Sequence, residues 1–292
     1  MARRRPDVCS YKQIYDTNEG PFDCDPAFFT HKIICEGDSW FTIGGTNLRN
    51  PWFSNLLFTL RFPRDTLILN LAYPGDTIRN LSRMINNTSF RYALQSEKNK
   101  PWNAIVLSAG GNDLIDAAHK LILPKSRRPS AAVNNIADYC NKPAVTKFFN
   151  DIEKNFRRLA KIRTDQNIPF IIHTYDYPTP RNSAARFFRV KLSGPWLYTA
   201  MTKAEIPQSD WIELSDYLFD HLADRILSLS KGANVIPNFH AVDTRNTLIR
   251  AQLGVRGESG DWLNEIHPNK NGYLKIAHLI EKKINEVTPI KY

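Results

Sequence analysis

Four short runs of consecutive apolar residues punctuate the chain without polar alternation: "KIIC" at 32–35, "TLILNL" at 66–71, "AIVLSA" at 104–109 and "PFIIHT" at 169–174. Runs of this length, rich in Ile, Val and Leu, predict strands buried on both faces, as in a parallel sheet. A weaker fifth run is "NFHAVD" at 238–243. The segments between them carry a helical period instead. "PWFSNLLFTLRF" follows the first run and "DTIRNLSRMINN" the second. After the third, "AVTKFFNDIEKNFRRLAKIRT" sets Phe148, Ile152, Phe156, Leu159 and Ile162 on one predicted face. "SDWIELSDYLFDHLADRILSLSKG" precedes the fifth run, and "NKNGYLKIAHLIEKKINEV" follows it near the end of the chain. Strands alternating with helices predict an α/β domain in which right-handed crossovers cover a central parallel sheet of about five strands. Two predicted connections, about 114–143 and 175–209, are far longer than the usual ~2–6 residues of an α/β turn. Both follow strands and so overhang the carboxyl edge of the sheet, where ligands bind in such folds.

At 292 residues the chain is long enough for one large domain, expected over 31–292 behind an irregular or partly ordered arm at 1–30. The hydrophobic and charged shares, 42% and 23%, are those of an ordinary globular protein. The basic start "MARRRPDVCSYKQ" leads into no apolar signal core, and no run approaches a membrane span, so a cytoplasmic location is expected. The four cysteines, Cys9, Cys24, Cys35 and Cys140, form no CxxC pair. No metal, no cofactor and no disulfide framework is therefore expected. A formal charge of +10 favours anionic partners without naming one. Nucleic acid is not singled out, because zinc-finger and RNP-like patterns and long basic helices are missing from the sequence.

The chemistry is expected immediately after the strands. Gly37-Asp38-Ser39 follows the first run, "AYPGD" (72–76) the second and Gly110-Gly111-Asn112-Asp113 the third. "DWLNEIHPN" (261–269) precedes the last predicted helix. Singly each is a turn; in this order they resemble the four blocks of the SGNH (GDSL) hydrolase family. The resemblance spans residues 32 to about 280 and implies a three-layer α/β/α, flavodoxin-like fold. It also implies that Ser39 is a nucleophile and His267 its base, with Ser39, Gly75 and Asn112 forming an oxyanion hole. A serine hydroxyl does need such a base at neutral pH. The other histidines, His31, His119, His173, His221, His240 and His278, fall in predicted strands, helices or the long connection or, for His31, lead into the first strand.

The pattern departs from the family three residues before the histidine, where an aspartate is usual and Asn264 stands. Three residues are open for orienting His267: Asn264 itself, Asp261 and Asp243. Small esterases, lysophospholipases, thioesterases and carbohydrate acetylesterases share these blocks. The reading favoured is hydrolysis of short acyl esters of a polar or carbohydrate alcohol through a Ser39 acyl-enzyme. An acyltransferase and a catalytically weakened binding module are the alternatives. In the second connection, "RNSAARFFRVKLSGPW" gathers Arg181, Arg186, Arg189 and Lys191 with no acid. Arg181, Arg186 and Trp196 are the expected substrate contacts, suited to an anionic or sugar ester. The sequence leaves the oligomeric state open.

Overall fold

The apolar runs become neighbouring strands of one sheet in the computed structural model of the chain. It describes residues 3–16, 24–42, 55–83, 87–96, 101–128, 135–163, 167–187, 190–233 and 235–289, without the side chains of 186–192. In chain order the strands are β1 (Asp7–Ser10), β2 (His31–Gly37), β3 (Thr66–Asn70), β4 (Ala104–Ser108), β5 (Phe170–His173), β6 (Ala185–Phe187), β7 (Val190–Ser193) and β8 (Phe239–Val242). The helices are α1 (Tyr11–Tyr15), α2 (Leu56–Thr59), α3 (Ile78–Leu81), α4 (Thr88–Gln95), α5 (Gly111–Leu121), α6 (Lys142–Ala160), α7 (Leu197–Lys203), α8 (Trp211–Ser228) and α9 (Lys270–Val287). The main sheet has six strands in the order β1-β3-β2-β4-β5-β8, every pair parallel. β6 and β7 form a separate antiparallel hairpin inside the second long connection.

All residues of β2 and β4 are buried, which is why their sequences show no alternation. α2 packs on α9, while α3, α5 and α8 pack on α6, so helices cover both faces of the sheet. Chain order reverses between β2 and β4, which places the crevice of a doubly wound sheet directly beyond Gly37 and Ser108. Gly37 lets those strands meet there. Its φ is +148°, and a Cβ on it would lie 2.3 Å from the Ser108 carbonyl oxygen. Among the described residues no helix is long and apolar enough to cross a membrane.

Four expectations are refined or corrected. Within the described part of the N-terminal arm, Asp7–Ser10 pairs along β3 as an edge strand, and Ser10 and Gln13 form a capping box on α1. Four residues with one buried position carry too weak a pattern to be read as a strand. A disulfide joins Cys9 to Cys24, whose thiols the spacing did not pair, and staples this edge strand to the segment before β2. Helix α5 begins at Gly111, so the first long connection starts as a helix rather than a loop. On α6 the buried face is Val145, Phe149, Ile152, Phe156 and Leu159; Phe148 is only half-buried.

Candidate active site

Ser39 sits in the turn that leaves β2, and a buried polar cluster shapes that turn. Asp38 Oδ1 accepts the Trp40 N–H at 3.0 Å and the Ser108 hydroxyl at 2.7 Å, and Asp38 Oδ2 accepts the Tyr175 hydroxyl. Ser108 Oγ also lies 3.0 Å from His173 Nε2, and the Trp40 ring stacks on the His173 ring at 5.0 Å. Burial pushes Asp38 up to about 6 against the hydrogen bonds it accepts, and pushes His173 down to about 3. His173 is therefore a neutral packing partner of the turn. Trp40 Nε1 donates to the Ile266 carbonyl at 3.1 Å and ties the serine turn to the loop carrying the histidine.

That loop brings His267 Nε2 to 2.8 Å from Ser39 Oγ. Asn264 Oδ1 is 3.0 Å from His267 Nδ1 and also accepts the backbone N–H groups of Ile266 and His267 at 3.1 and 2.9 Å. Those two N–H groups can only donate, so the oxygen of the Asn264 amide must face them. The same oxygen then requires a proton on Nδ1, leaving the bare Nε2 lone pair toward the serine hydroxyl. Burial pushes His267 down to about 4, so the imidazole is neutral near pH 7 and able to take a proton.

The two acids named beside Asn264 as partners for His267 are engaged elsewhere. Asp261 Oδ2 accepts the Ile249 N–H at 2.7 Å and pairs with Lys275 Nζ at 2.5 Å. Asp243 bonds Thr174 and Arg245. Neither carboxylate has a hydrogen bond to the imidazole, and Asn264 Oδ1 is the side-chain oxygen that stands at hydrogen-bond distance from Nδ1.

Asn112, in the first turn of α5, donates through Nδ2 to the Asp76 carbonyl at 2.9 Å. Asp76 follows Gly75, so the bond links Asn112 to the glycine turn; Asp113 reinforces the link by accepting the Ile78 N–H at 2.8 Å. Gly75 is exposed, with φ +81° and nothing within 4 Å of where a Cβ would stand. Ser39 and Asn112 line one cleft with Trp40, Ile115, Phe219 and Trp262, and its free volume is about 20 Å³. A cavity of that volume suits a group of very few heavy atoms.

The expected substrate contacts divide. Arg181 is 1% exposed, and its guanidinium donates to the carbonyls of Val255, Gly257 and, at 2.6 Å, Asn264. It therefore braces the histidine loop rather than facing a substrate, a correction the sequence could not supply because its acceptors are main-chain groups. Arg186 belongs to β6, and its side chain lies outside the described part of the structure, as do those of Arg189 and Lys191. Trp196 is half-buried with its ring centroid 6.2 Å from that of His267, edge against face.

Glu265, two residues before His267, was not foreseen. It is fully buried, and its carboxylate accepts the backbone N–H groups of Arg181, Trp196 and Tyr198. Burial raises it to about 7 against those bonds. The sequence carried no signal for it, because its partners are main-chain N–H groups of a distant connection.

Likeness to known proteins is low in sequence and broad in coverage. An extracellular lipase from Streptomyces rimosus is 12% identical over 86% of this chain and 99% of its own, with a TM-score of 0.46. A salicylyl-acyltransferase of a tetracycline biosynthetic pathway is 15% identical over 91% of this chain and 58% of its own, with a TM-score of 0.43. A carbohydrate esterase is 12% identical over 88% and 68%, with a TM-score of 0.40. None of these likenesses bears on a substrate. No curated protein matches the sequence. The family model of the GDSL-like lipase/acylhydrolases matches residues 37–280, a span that holds the Ser39 turn, the Gly75 turn, Asn112 and the His267 loop, and the chain belongs to that family.

Proposed function

We propose that the protein is a serine esterase that hydrolyses short acyl esters through an acyl-enzyme on Ser39. The observation that carries this is the continuous chain Ser39 Oγ, His267 Nε2, His267 Nδ1, Asn264 Oδ1, with spacings of 2.8 and 3.0 Å across its two hydrogen bonds. Ser39 Oγ attacks the ester carbonyl carbon as its proton passes to His267 Nε2. The electron pair of the C=O bond moves onto oxygen, where the N–H groups of Ser39 and Gly75 and the Asn112 amide receive the oxyanion. Donors of this kind are worth about 2.7–4 kcal/mol each. Collapse breaks the bond to the alcohol oxygen, which takes the proton from His267. Water then adds to the acyl-enzyme by the same route, releasing the acid and restoring Ser39.

Asn264 fixes the imidazole tautomer as an aspartate does, without supplying negative charge to the imidazolium that forms. The small free volume beside Ser39 and Asn112 supports a short acyl group; a polar or carbohydrate alcohol is the reading we favour for the other half of the ester. A panel of p-nitrophenyl esters from acetyl to palmitoyl, run beside Ser39→Ala, tests the reading. Turnover greatest at acetyl and abolished by the substitution is expected. Equal rates for both proteins would contradict hydrolysis by Ser39 and leave the fold with a binding role.

A further inference from the structure

The connection after β5 and the histidine loop are joined by one carboxylate. Glu265 Oε1 accepts the Tyr198 N–H at 2.7 Å and the Arg181 N–H at 3.2 Å, and Oε2 accepts the Trp196 N–H. The Glu265 N–H returns a bond to the Ser183 carbonyl at 2.9 Å. Every group aimed at the carboxylate is a donor that only an acceptor satisfies. The indole of Trp196 lies folded back over Gly194, where even a Cβ would stand 2.5 Å from the ring. Trp196 is therefore set at both ends, its amide by Glu265 and its ring by Gly194 and His267.

Chemistry says which half of an ester meets that indole. The acyl carbon must face Ser39 with its oxygen toward Asn112, and the small cleft lined by Asn112, Ile115 and Phe219 takes the acyl group. The alcohol must leave toward His267 Nε2, which protonates it. Trp196 stands beside His267, and neither of the two lines that cleft.

We propose that Glu265 is a positioning residue that holds Trp196 on the leaving-group side, where the indole selects alcohols with a flat face, aryl or pyranosyl. This rests on the assignment of Ser39 and His267 above. The substrate half is read by comparing phenyl acetate and an O-acetylated methyl pyranoside with ethyl acetate, which shares their acyl group. Relative to ethyl acetate, Trp196→Ala lowers kcat/KM for at least one flat-faced ester by about tenfold or more, mostly through KM, the size of effect a pocket contact gives. The ester affected names the class. Glu265→Gln produces the same selective loss, and the double variant is no worse than Trp196→Ala, because both act through one indole.

Equal losses on all three esters, or multiplying losses in the double variant, would overturn the proposal, as would unchanged selectivity in Trp196→Ala. If Glu265→Gln does not fold, Glu265→Asp, which keeps the charge but shortens the reach, takes its place in the cycle. Amide hydrogen exchange separates this proposal from the assignment of Ser39. In Glu265→Gln the Trp196 and Tyr198 amides exchange faster while those of β4 do not, whether or not the protein turns over an ester. Unchanged exchange at Trp196 and Tyr198 would also overturn it.

Discussion

The Ser39 turn and the His267 loop supply the two ends of one hydrogen bond and are built by different means. The turn hangs from the centre of the sheet. β2 enters it fully buried, Gly37 lies against β4, and Asp38 closes it on Trp40 and Ser108. The loop from Asp243 to Asn269 contains no long strand or helix. Side chains fix it at its margins: Asp176 accepts the N–H groups of Asn246, Thr247 and Leu248, Asp261 holds Ile249 and Lys275, and Arg181 and Glu265 join it to the connection after β5. Under the proposed function, backbone geometry alone would place the nucleophile. A base that must present one particular nitrogen needs its tautomer set as well, the part proposed for the Asn264 amide.

Substitutions around the imidazole break this comparison most severely. His267→Ala should lower kcat/KM on p-nitrophenyl acetate by on the order of 10⁴-fold or more. Asn264→Ala should cost about 10²-fold or more, since the tautomer is no longer fixed. Asp243→Ala and Asp261→Ala should stay near wild type in kcat/KM when folded. Asp261→Ala should instead lower stability in urea by about 1–3 kcal/mol, a buried-pair loss reduced because Lys275 is partly exposed. If Asp261→Ala matched His267→Ala in activity, the orienting role would pass from Asn264 to Asp261. On the turn side, Asn112→Ala should lower kcat by about 10²–10³-fold with less effect on KM.

A smaller effect separates asparagine from aspartate. Protonated His267 cannot accept the serine proton, so activity falls as pH drops through its pKa. Burial lowers that pKa to about 4, and no carboxylate bonds the ring to raise it again. The acid limb of kcat/KM for the free enzyme should therefore lie near pH 4, well below the ordinary imidazole range. Asn264→Asp should move it upward, because a carboxylate favours the imidazolium. A wild-type limb near the ordinary value, unmoved by Asn264→Asp, would contradict the account.

The fold was legible where one local pattern decides it. The runs at 32–35, 66–71, 104–109 and 169–174 are strands within one to two residues at each end, because burial on both faces leaves an unbroken apolar signature. β1 was hidden because an edge strand with one buried residue carries no such signature. Ser39, Asn112 and His267 were named through the resemblance of four ordered blocks, and the structure brings Ser39 and His267 to hydrogen-bond distance. Glu265, Tyr175 and the true place of Arg181 could not be picked out, because their partners are backbone groups or residues up to 137 positions away. The least effect on activity is expected farthest from the site. Cys9→Ser opens a loop with a sequence separation of 15 and should cost about 3 kcal/mol of stability in chemical denaturation while leaving ester turnover unchanged.

The central claim is that Ser39 is a nucleophile activated by His267. Its most direct test is labelling of the folded protein with a fluorophosphonate at neutral pH, followed by intact mass and peptide mapping. One adduct on Ser39 is expected in the wild type, none in Ser39→Ala, and labelling slowed by orders of magnitude in His267→Ala. A wild type that takes no adduct at Ser39, or a His267→Ala variant that labels at the wild-type rate, would contradict the claim.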